Sequence, residues 1–311
     1  MSEGSCSYRS ASPSLSDFGS PPQTRLEPAE VRCYLEEGLE GVGRYKYLKP
    51  NSIITTINRE IREFKLHAPA PQYAVFSPVT EKEFTEIDKI RNRHHMAVKF
   101  LFLTNERTLV VKFVVDIAHE IAHRGFVRLF LFKISSMDLT WDMADLGRGR
   151  FSGLTGQKEA DTALKPMSRP YITDWPTVVF ECGVPESLER LKVDAKWWFE
   201  NSEGAVGTVV IVTVSVEKRS LCAEMWELAD VANPDATQTD PNPFITRATR
   251  TGGCKIVGET VTGDPLKISF KKTMLRDPDE TLGEGDIVFD TKEIKRLARA
   301  VWAGTKTRPK T

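Results

Sequence analysis

Residues 206–216 read VGTVVIVTVSV, and this apolar, β-branched run constrains the fold more than any other feature. Because its apolar positions fall on both faces of an extended strand, the run predicts a strand buried within a sheet. Another apolar run, WPTVVFECG (175–183), precedes it, and PESLERLKVDAKWWFEN (185–201) between the two has helical periodicity. Strand, helix and strand in this order predict a βαβ crossover.

The flanking patterns extend this unit into a larger fold. KEADTALKP (158–166) predicts a short edge strand, SLCAEMWEL (220–228) the next strand, and the runs on both sides of TNER (104–107) an antiparallel hairpin. Helices are predicted for residues 52–65, for 80–94 with a capping box of Thr80 and Glu83, and from about 114 to 135. We therefore expect an α/β (α+β) fold with a mixed central sheet and flanking helices.

Composition shifts divide the chain into five parts. Residues 1–28 are rich in Ser, Pro and Gly and predict a disordered tail, and 29–90 predict a helical extension. Residues 91–228 form the predicted core, 229–250 a flexible polar loop, and 251–311 strands and a helix that pack on the core.

Charge and cysteine content limit the functional classes. The 311-residue chain has 43 Lys and Arg against 43 Asp and Glu, which argues against a general polyanion binder but allows a local basic groove. Five cysteines form no CxxC pair, which favours free thiols in a reducing compartment. No apolar run is long enough for a bilayer helix and no signal segment begins the chain, so we expect an intracellular protein, cytoplasmic or nuclear, without membrane contact.

Residues 119–123 read HEIAH, the H-E-x-x-H spelling of a zinc metalloprotease. Such a site needs a third protein ligand, and no histidine follows His123; Glu159 is the best-placed substitute in the sequence. The alternative interpretation is a helix with two partly exposed histidines beside an ion pair of Glu120 and Arg124.

Two carboxylates on the central strands suggest different chemistry. Asp161 and Glu181 lie on or beside neighbouring predicted strands, where two acids can share Mg²⁺ or Mn²⁺. Such an ion activates water and stabilises charge on a phosphodiester, and Glu120 on the preceding helix would be a third acid.

This arrangement resembles the PD-(D/E)xK, or restriction-endonuclease-like, superfamily. The run from KEADTALKP to VGTVVIVTV is similar to a group of uncharacterised fungal proteins, which are in turn similar to Uma2-type candidate endonucleases; the likeness extends over residues 90–305. The resemblance implies a restriction-endonuclease-like core, a magnesium-dependent nuclease (hydrolase) activity, and nucleic acid as partner. It identifies Asp161 and Glu181 as catalytic metal ligands, with Glu120 as the acid of the first helix.

The sequence departs from the superfamily's motif at one position. The motif lysine would stand two residues after Glu181, where this chain has Gly183. Lys196 on the following helix is the best substitute and would stabilise the developing charge; Lys192 is the next. Without a lysine at 183, the alternative is a catalytically degenerate nuclease scaffold that acts as a binding module.

Each candidate also has a plain structural interpretation. Asp161 would pair with Lys158 or Lys165, Glu181 would cap the next helix, and both lysines of that helix would be solvated. Trp197 and Trp198 would be core residues rather than base-stacking platforms, and Cys182 a small packing residue rather than a nucleophile.

Overall fold

A computed structural model describes residues 28–66, 71–114, 117–234, 236 and 243–305. In these ranges the helices are α1 (Pro28–Glu36), α2 (Pro50–Leu66), α3 (Glu81–Arg93), α4 (Ile117–Ser136), α5 (Leu188–Asn201), α6 (Phe270–Met274) and α7 (Thr291–Gly304). The strands are β1 (Gly43–Lys46), β2 (Tyr73–Ser77), β3 (Val98–Leu103), β4 (Thr108–Phe113), β5 (Met143–Asp145), β6 (Arg150–Ser152), β7 (Gly156–Glu159), β8 (Thr162–Pro166), β9 (Val178–Gly183), β10 (Thr208–Ser215), β11 (Ser220–Ala232), β12 (Phe244–Val257), β13 (Thr260–Gly263), β14 (Leu266–Ile268) and β15 (Ile287–Phe289).

Two large sheets and a small one organise these strands. The first sheet has the order β1-β2-β4-β3-β7-β6, and the second has the order β13-β12-β11-β10-β9-β8-β5. Strands β9 and β10 are parallel and are joined by α5, which confirms the predicted crossover. Mixed sheets with flanking helices confirm the predicted fold class and are consistent with a restriction-endonuclease-like core.

The sheets and helices form layers around three groups of buried apolar side chains. Helices α4 and α7 cover one face of the second sheet, and α5 lies in the core on its other face together with side chains of the first sheet. Helices α2 and α3 cover the outer face of the first sheet. The space between the two sheets is therefore covered over most of its extent, and charged groups placed there are largely removed from water.

Local sequence signals place the main elements as predicted. Thr80 and Glu83 form the capping box of α3, and β3 pairs with β4 as an antiparallel hairpin. Helix α4 begins at Ile117, after the predicted start at about residue 114, and ends at Ser136, next to the predicted end at about 135; its buried side includes Ala122, Phe126 and Phe130. No helix in the described ranges is long and apolar enough to cross a bilayer.

Three local predictions are wrong. Residues 156–159 and 162–166 are separate strands in different sheets, and β8 is not an edge strand because β5 covers it. Residues 229–232 and 244–250 of the predicted loop 229–250 belong instead to strands β11 and β12, which pair as a long antiparallel hairpin. The predicted helical extension 29–90 also contains β1 and β2, which join the first sheet. The predicted disordered tail lies outside the described residues except for Pro28.

Candidate functional site

Asp161 and Glu181 meet between the two sheets, and a lysine ammonium lies between their carboxylates. Asp161 immediately precedes β8, and Glu181 is on β9, on the same strand face as Val179 and facing the first sheet. Lys112 on β4 donates to Asp161 Oδ2 at 2.7 Å and to Glu181 Oε2 at 3.0 Å. All three side chains are at least 95% buried, so the lysine and the two acids form a desolvated ion triad.

The carboxylates have further nitrogen partners. The backbone N–H of Cys182 also donates to Asp161 Oδ2, at 2.8 Å, and Lys99 Nζ lies 3.7 Å from Asp161 Oδ1. The indole Nε1 of Trp198 donates to Glu181 Oε1 at 2.9 Å. Lys158 on β7 lies 3.4 Å from Glu181 Oε1. The oxygens that would ligate Mg²⁺ are thus hydrogen-bonded to, or in ion pairs with, nitrogen donors in the present arrangement.

A second acid on α5 extends the network. Asp194 lies 3.2 Å from Lys158 Nζ and 3.4 Å from Arg190 Nη2, and the hydroxyl of Tyr73 donates to it at 3.4 Å. Burial raises the pKa of Asp194, but Lys158 and Arg190 outweigh this effect and hold it below its usual value. The network therefore joins α5 to both sheets through charged groups.

Electrostatics keep Asp161 and Lys112 ionised. Burial raises the pKa of Asp161, but Lys112 and Lys99 outweigh it and hold this pKa well below the usual range. Burial likewise lowers the pKa of Lys112, and Asp161 and Glu181 outweigh it, so the pKa lies well above the usual value. A cation held between two acids offsets part of the charge that a divalent metal would otherwise neutralise.

The close packing around Gly183 explains why no lysine stands at the motif position. A Cβ at this residue would lie 2.9 Å from Gln72 Oε1, 3.0 Å from Leu191 and 3.5 Å from Ser187. Gln72 is itself committed, since its Nε2 donates to the carbonyl oxygen of Phe113 at 2.8 Å. No side chain larger than hydrogen fits at position 183 without displacing these neighbours.

Glu120 lies apart from the two central acids. Its carboxylate accepts from Arg124 at 2.8 Å in the predicted i,i+4 pair. Both residues line a cleft of about 370 Å³ between α4 and the strands, and Asp161 lines the same cleft. Among the described residues, no group of three or more His, Cys, Asp or Glu side chains is placed to hold a metal ion.

The cleft carries charged and polar groups from several elements. They are Lys99, Glu120, His123, Arg124, Arg128, Asp145, Arg148, Asp161 and Thr162. Burial lowers the pKa of Lys99 to about 8; Asp161 opposes this shift and Arg148 adds to it. Burial also lowers the pKa of His123 to about 4, so its imidazole is neutral at physiological pH.

Lys196 lies on another side of the molecule. Its Nζ contacts Cys33 Sγ at 3.6 Å and Glu200 Oε1 at 3.6 Å, and it lines a groove between α5 and the β11–β12 hairpin. Burial lowers its pKa, but Glu200, Cys33 and Glu37 together outweigh this, so the pKa is raised. Lys192 pairs with Glu189 at 2.7 Å beside the same groove. Neither lysine is brought to Asp161 and Glu181.

The two histidines of HEIAH are buried rather than partly exposed, which corrects that interpretation. His119 Nε2 lies 2.8 Å from the carbonyl oxygen of Cys182, and the two imidazole centroids are 6.3 Å apart. Glu159, the candidate third zinc ligand, pairs instead with Arg91 at 2.6 Å and with Arg150 at 2.7 Å.

The plain structural interpretations have mixed outcomes. Trp197 and Trp198 are fully buried core residues, as predicted, and burial raises the pKa of the Cys182 thiol well above its usual value. Asp161 forms its ion pairs with Lys112 and Lys99 rather than with the two predicted lysines.

Lys99 and Lys112 are the site residues that the sequence interpretation did not identify. Each stands alone as a charge in an apolar strand, in AVKFLFL and TLVVKFVV. The two positions are equidistant from the TNER turn, and in the structure they are direct cross-strand partners. An isolated lysine in a buried strand needs a buried partner, and this signal could have linked both to the acids.

Comparisons with known proteins add little to this geometry. No protein-family model matches the chain. No curated protein matches it either. Among solved structures, it is similar to a "putative nuclease belonging to DUF820" from Anabaena variabilis ATCC 29413, with a TM-score of 0.35 and 12% identity over 54% of this chain and 95% of that one. A likeness this remote assigns neither fold nor activity.

Proposed function

We propose that this chain is a nuclease-like scaffold that binds the phosphate backbone of nucleic acid without metal-dependent hydrolysis. The observation that carries the proposal is Lys112, whose ammonium lies between the carboxylates of Asp161 and Glu181 at 2.7 and 3.0 Å. Lys112 offsets part of the negative charge that would attract Mg²⁺, and Lys99 and Lys158, in ion pairs with the same acids, offset the rest.

The cleft beside the acid pair supports phosphate binding. Arg124, Arg128 and Arg148 line it and are exposed residues, and guanidinium groups bind phosphate oxygens through paired hydrogen bonds. Because these arginines cluster in one cleft, a local basic surface exists there although the net charge of the whole chain is zero. Phosphate contacts of this type position a strand without reading its sequence.

Binding is tested by fluorescence anisotropy of labelled single- and double-stranded oligonucleotides at several salt concentrations. Arg128→Ala and Arg148→Ala should each weaken binding and reduce the slope of log K against log salt by about 1. Arg299→Ala is the matched control, because Arg299 is an exposed arginine paired with Glu259 away from the cleft. Equal losses in all three variants would contradict a cleft-specific interface.

Hydrolysis is tested separately with the same oligonucleotides and Mg²⁺ or Mn²⁺. We expect wild type and Asp161→Ala to give the same background, and calorimetry to show no metal binding that depends on Glu181. Metal-dependent cleavage by wild type that Asp161→Ala abolishes would overturn the proposal.

A second candidate is the metal-dependent nuclease itself, with Asp161, Glu181 and Glu120 as metal ligands and Lys196 as the charge-stabilising lysine. One observation favours it: Asp161 and Glu181 already converge on a single cation. This function requires Lys112 to leave the acid pair and Glu120 and Lys196 to move towards it. A Lys112→Met variant that gains Mg²⁺ binding, together with wild-type cleavage, would favour this candidate.

A further inference from the structure

The outer part of strand β12 has an open edge on the side away from β11. Strand β13 pairs only with residues 254–257 of β12, at the end remote from the hairpin tip. In the ranges that the structure describes, no strand lies beside residues 244–252 on that side. At about 3.3 Å per residue, the open edge is roughly 30 Å long.

The backbone of this edge presents unpaired groups in alternation. The N–H of Asn233 donates to the carbonyl oxygen of Pro243, so this pair and every second pair after it are hydrogen-bonded within the β11–β12 ladder. The alternation turns the N–H and C=O of Thr246, Ala248 and Arg250 away from β11. Among the described residues, no backbone group outside the ladder hydrogen-bonds to these three. Such an edge is a template for another strand.

The groove that runs along this edge is acidic. Residues 245–248 line it on one side. Its other walls carry four acids and two lysines, namely Glu37, Glu40, Glu189, Glu200, Lys192 and Lys196. The lysines pair with Glu189 and Glu200. Glu37 and Glu40 are exposed and form no ion pair within the described part of the chain, so the groove offers their two negative charges to a partner.

The strand that forms the edge has the opposite charge. Residues 244–252 read FITRATRTG, with two arginines and no acid. Arg247 is exposed and has no ion pair among the described residues, and Arg250 lies 3.5 Å from Glu224 with its side chain 49% exposed. Charges on an edge strand repel most partners, so these arginines favour a partner that carries acids beside its own edge. A second copy of this chain is such a partner.

We propose that two copies of this chain associate through their β12 edges, as an antiparallel pair about a two-fold axis at Ala248. In this register Ala248 hydrogen-bonds to Ala248 of the partner subunit, and Thr246 to Arg250 of the partner subunit. The two-fold axis brings a basic strand and an acidic groove together from both sides. Trp226 and Leu228 also line the groove and supply apolar contact area. The groove shares no lining residue with the cleft beside the acid pair, so the interface is independent of nucleic-acid binding.

Sedimentation equilibrium of the full chain over a range of concentrations tests the dimer. We expect wild type to dimerise and Ala248→Pro to raise the Kd about tenfold or more, because proline removes an outward N–H from each copy. Ala248→Ser keeps the N–H and is the matched control, which should dimerise like wild type. A wild type that stays monomeric throughout the range, or equal Kd values for the proline and serine variants, would overturn the proposal.

Charge variants test the groove and remain informative where the proline variant folds poorly. Arg247→Glu should raise the Kd about tenfold or more, and adding Glu40→Lys to it should restore part of the loss, because strand and groove then exchange their charges. Lys255→Glu changes an exposed charge on the part of β12 that β13 covers, and should leave the Kd unchanged. An equal loss in Lys255→Glu, or no rescue by Glu40→Lys, would contradict pairing between basic strand and acidic groove.

Hydrogen exchange identifies the edge itself. In the wild-type dimer, the outward amides of Thr246, Ala248 and Arg250 should be protected, whereas in Arg247→Glu at the same concentration they should exchange at least tenfold faster. Protection of these amides together with dimer formation supports the β12 edge. A wild-type dimer in which they exchange as fast as in the variant would place the interface elsewhere and refute this edge.

Discussion

Lys112→Met is the most informative single substitution. Methionine has nearly the length and volume of lysine, so the change removes the ammonium with little change in packing. Asp161 and Glu181 would then face each other without the shared cation that now lies 2.7 and 3.0 Å from them. The variant therefore isolates the electrostatic role of Lys112.

The expected loss is large. Removing one partner of a buried ion pair typically costs about 3–5 kcal/mol, because the remaining charge stays desolvated. Lys112, Asp161 and Glu181 are each at least 95% buried, so solvent screens little of this effect. We expect the free energy of unfolding to fall by about 3–5 kcal/mol at pH 7. The deficit should shrink as pH falls, because protonation of Asp161 in the variant removes an unpaired buried charge.

Urea unfolding followed by circular dichroism measures this loss. Lys192→Met is the matched control, since its ion pair with Glu189 lies at the surface, with the two side chains 30% and 72% exposed, and should contribute less than about 1 kcal/mol. A loss in Lys112→Met no larger than in the control would refute the view that Lys112 neutralises the acid pair. A metal ion that binds only the folded state raises the unfolding midpoint. Because we expect no Mg²⁺ binding at the acid pair, Mg²⁺ should leave the urea midpoint of wild type unchanged.

Three further predictions concern pH and packing. The folded-state pKa of Asp161 lies well below its unfolded value, so its ionised form contributes stability above about pH 5, and this contribution is lost as pH falls below about 4. In urea unfolding measured from pH 3 to 7, Asp161→Asn should therefore show a smaller fall in the free energy of unfolding at acid pH than wild type. Gly183→Ala should lower the free energy of unfolding by about 1–3 kcal/mol, because its Cβ would press on Gln72 and Leu191, and unchanged unfolding would contradict the packing there. His123 should stay neutral down to about pH 5 in an NMR titration, since its pKa is about 4; a midpoint near 6.5 would show that the imidazole is solvated.

Local patterns in the sequence determined the elements and part of the site. Helix α3 follows its capping box, and the β3–β4 hairpin follows two apolar runs around TNER. The prediction that Asp161 and Glu181 lie close together also came from two neighbouring strand patterns, and Lys112 contacts both acids. Such signals depend on residues a few positions apart, so the sequence carries them directly.

The position of Lys196 in the groove shows that sequence spacing does not predict which lysine reaches the acids. Spacing from Glu181 made it the best substitute for the motif lysine, but the helix turns its Nζ towards Cys33 and Glu200. The cation that does reach the acids, Lys112, comes from 49 residues before Asp161 and from a different sheet. No spacing rule within the crossover unit could have supplied it.

By itself, then, the sequence determined which segments are helices and strands, and that charges interrupt apolar strands at Lys99, Lys112 and Glu181. Only the tertiary structure decided which of those charges meet, because that depends on how two sheets stack across a closed core. A buried charge must find an opposite charge nearby, but the layer that provides it is chosen by the packing of the whole domain.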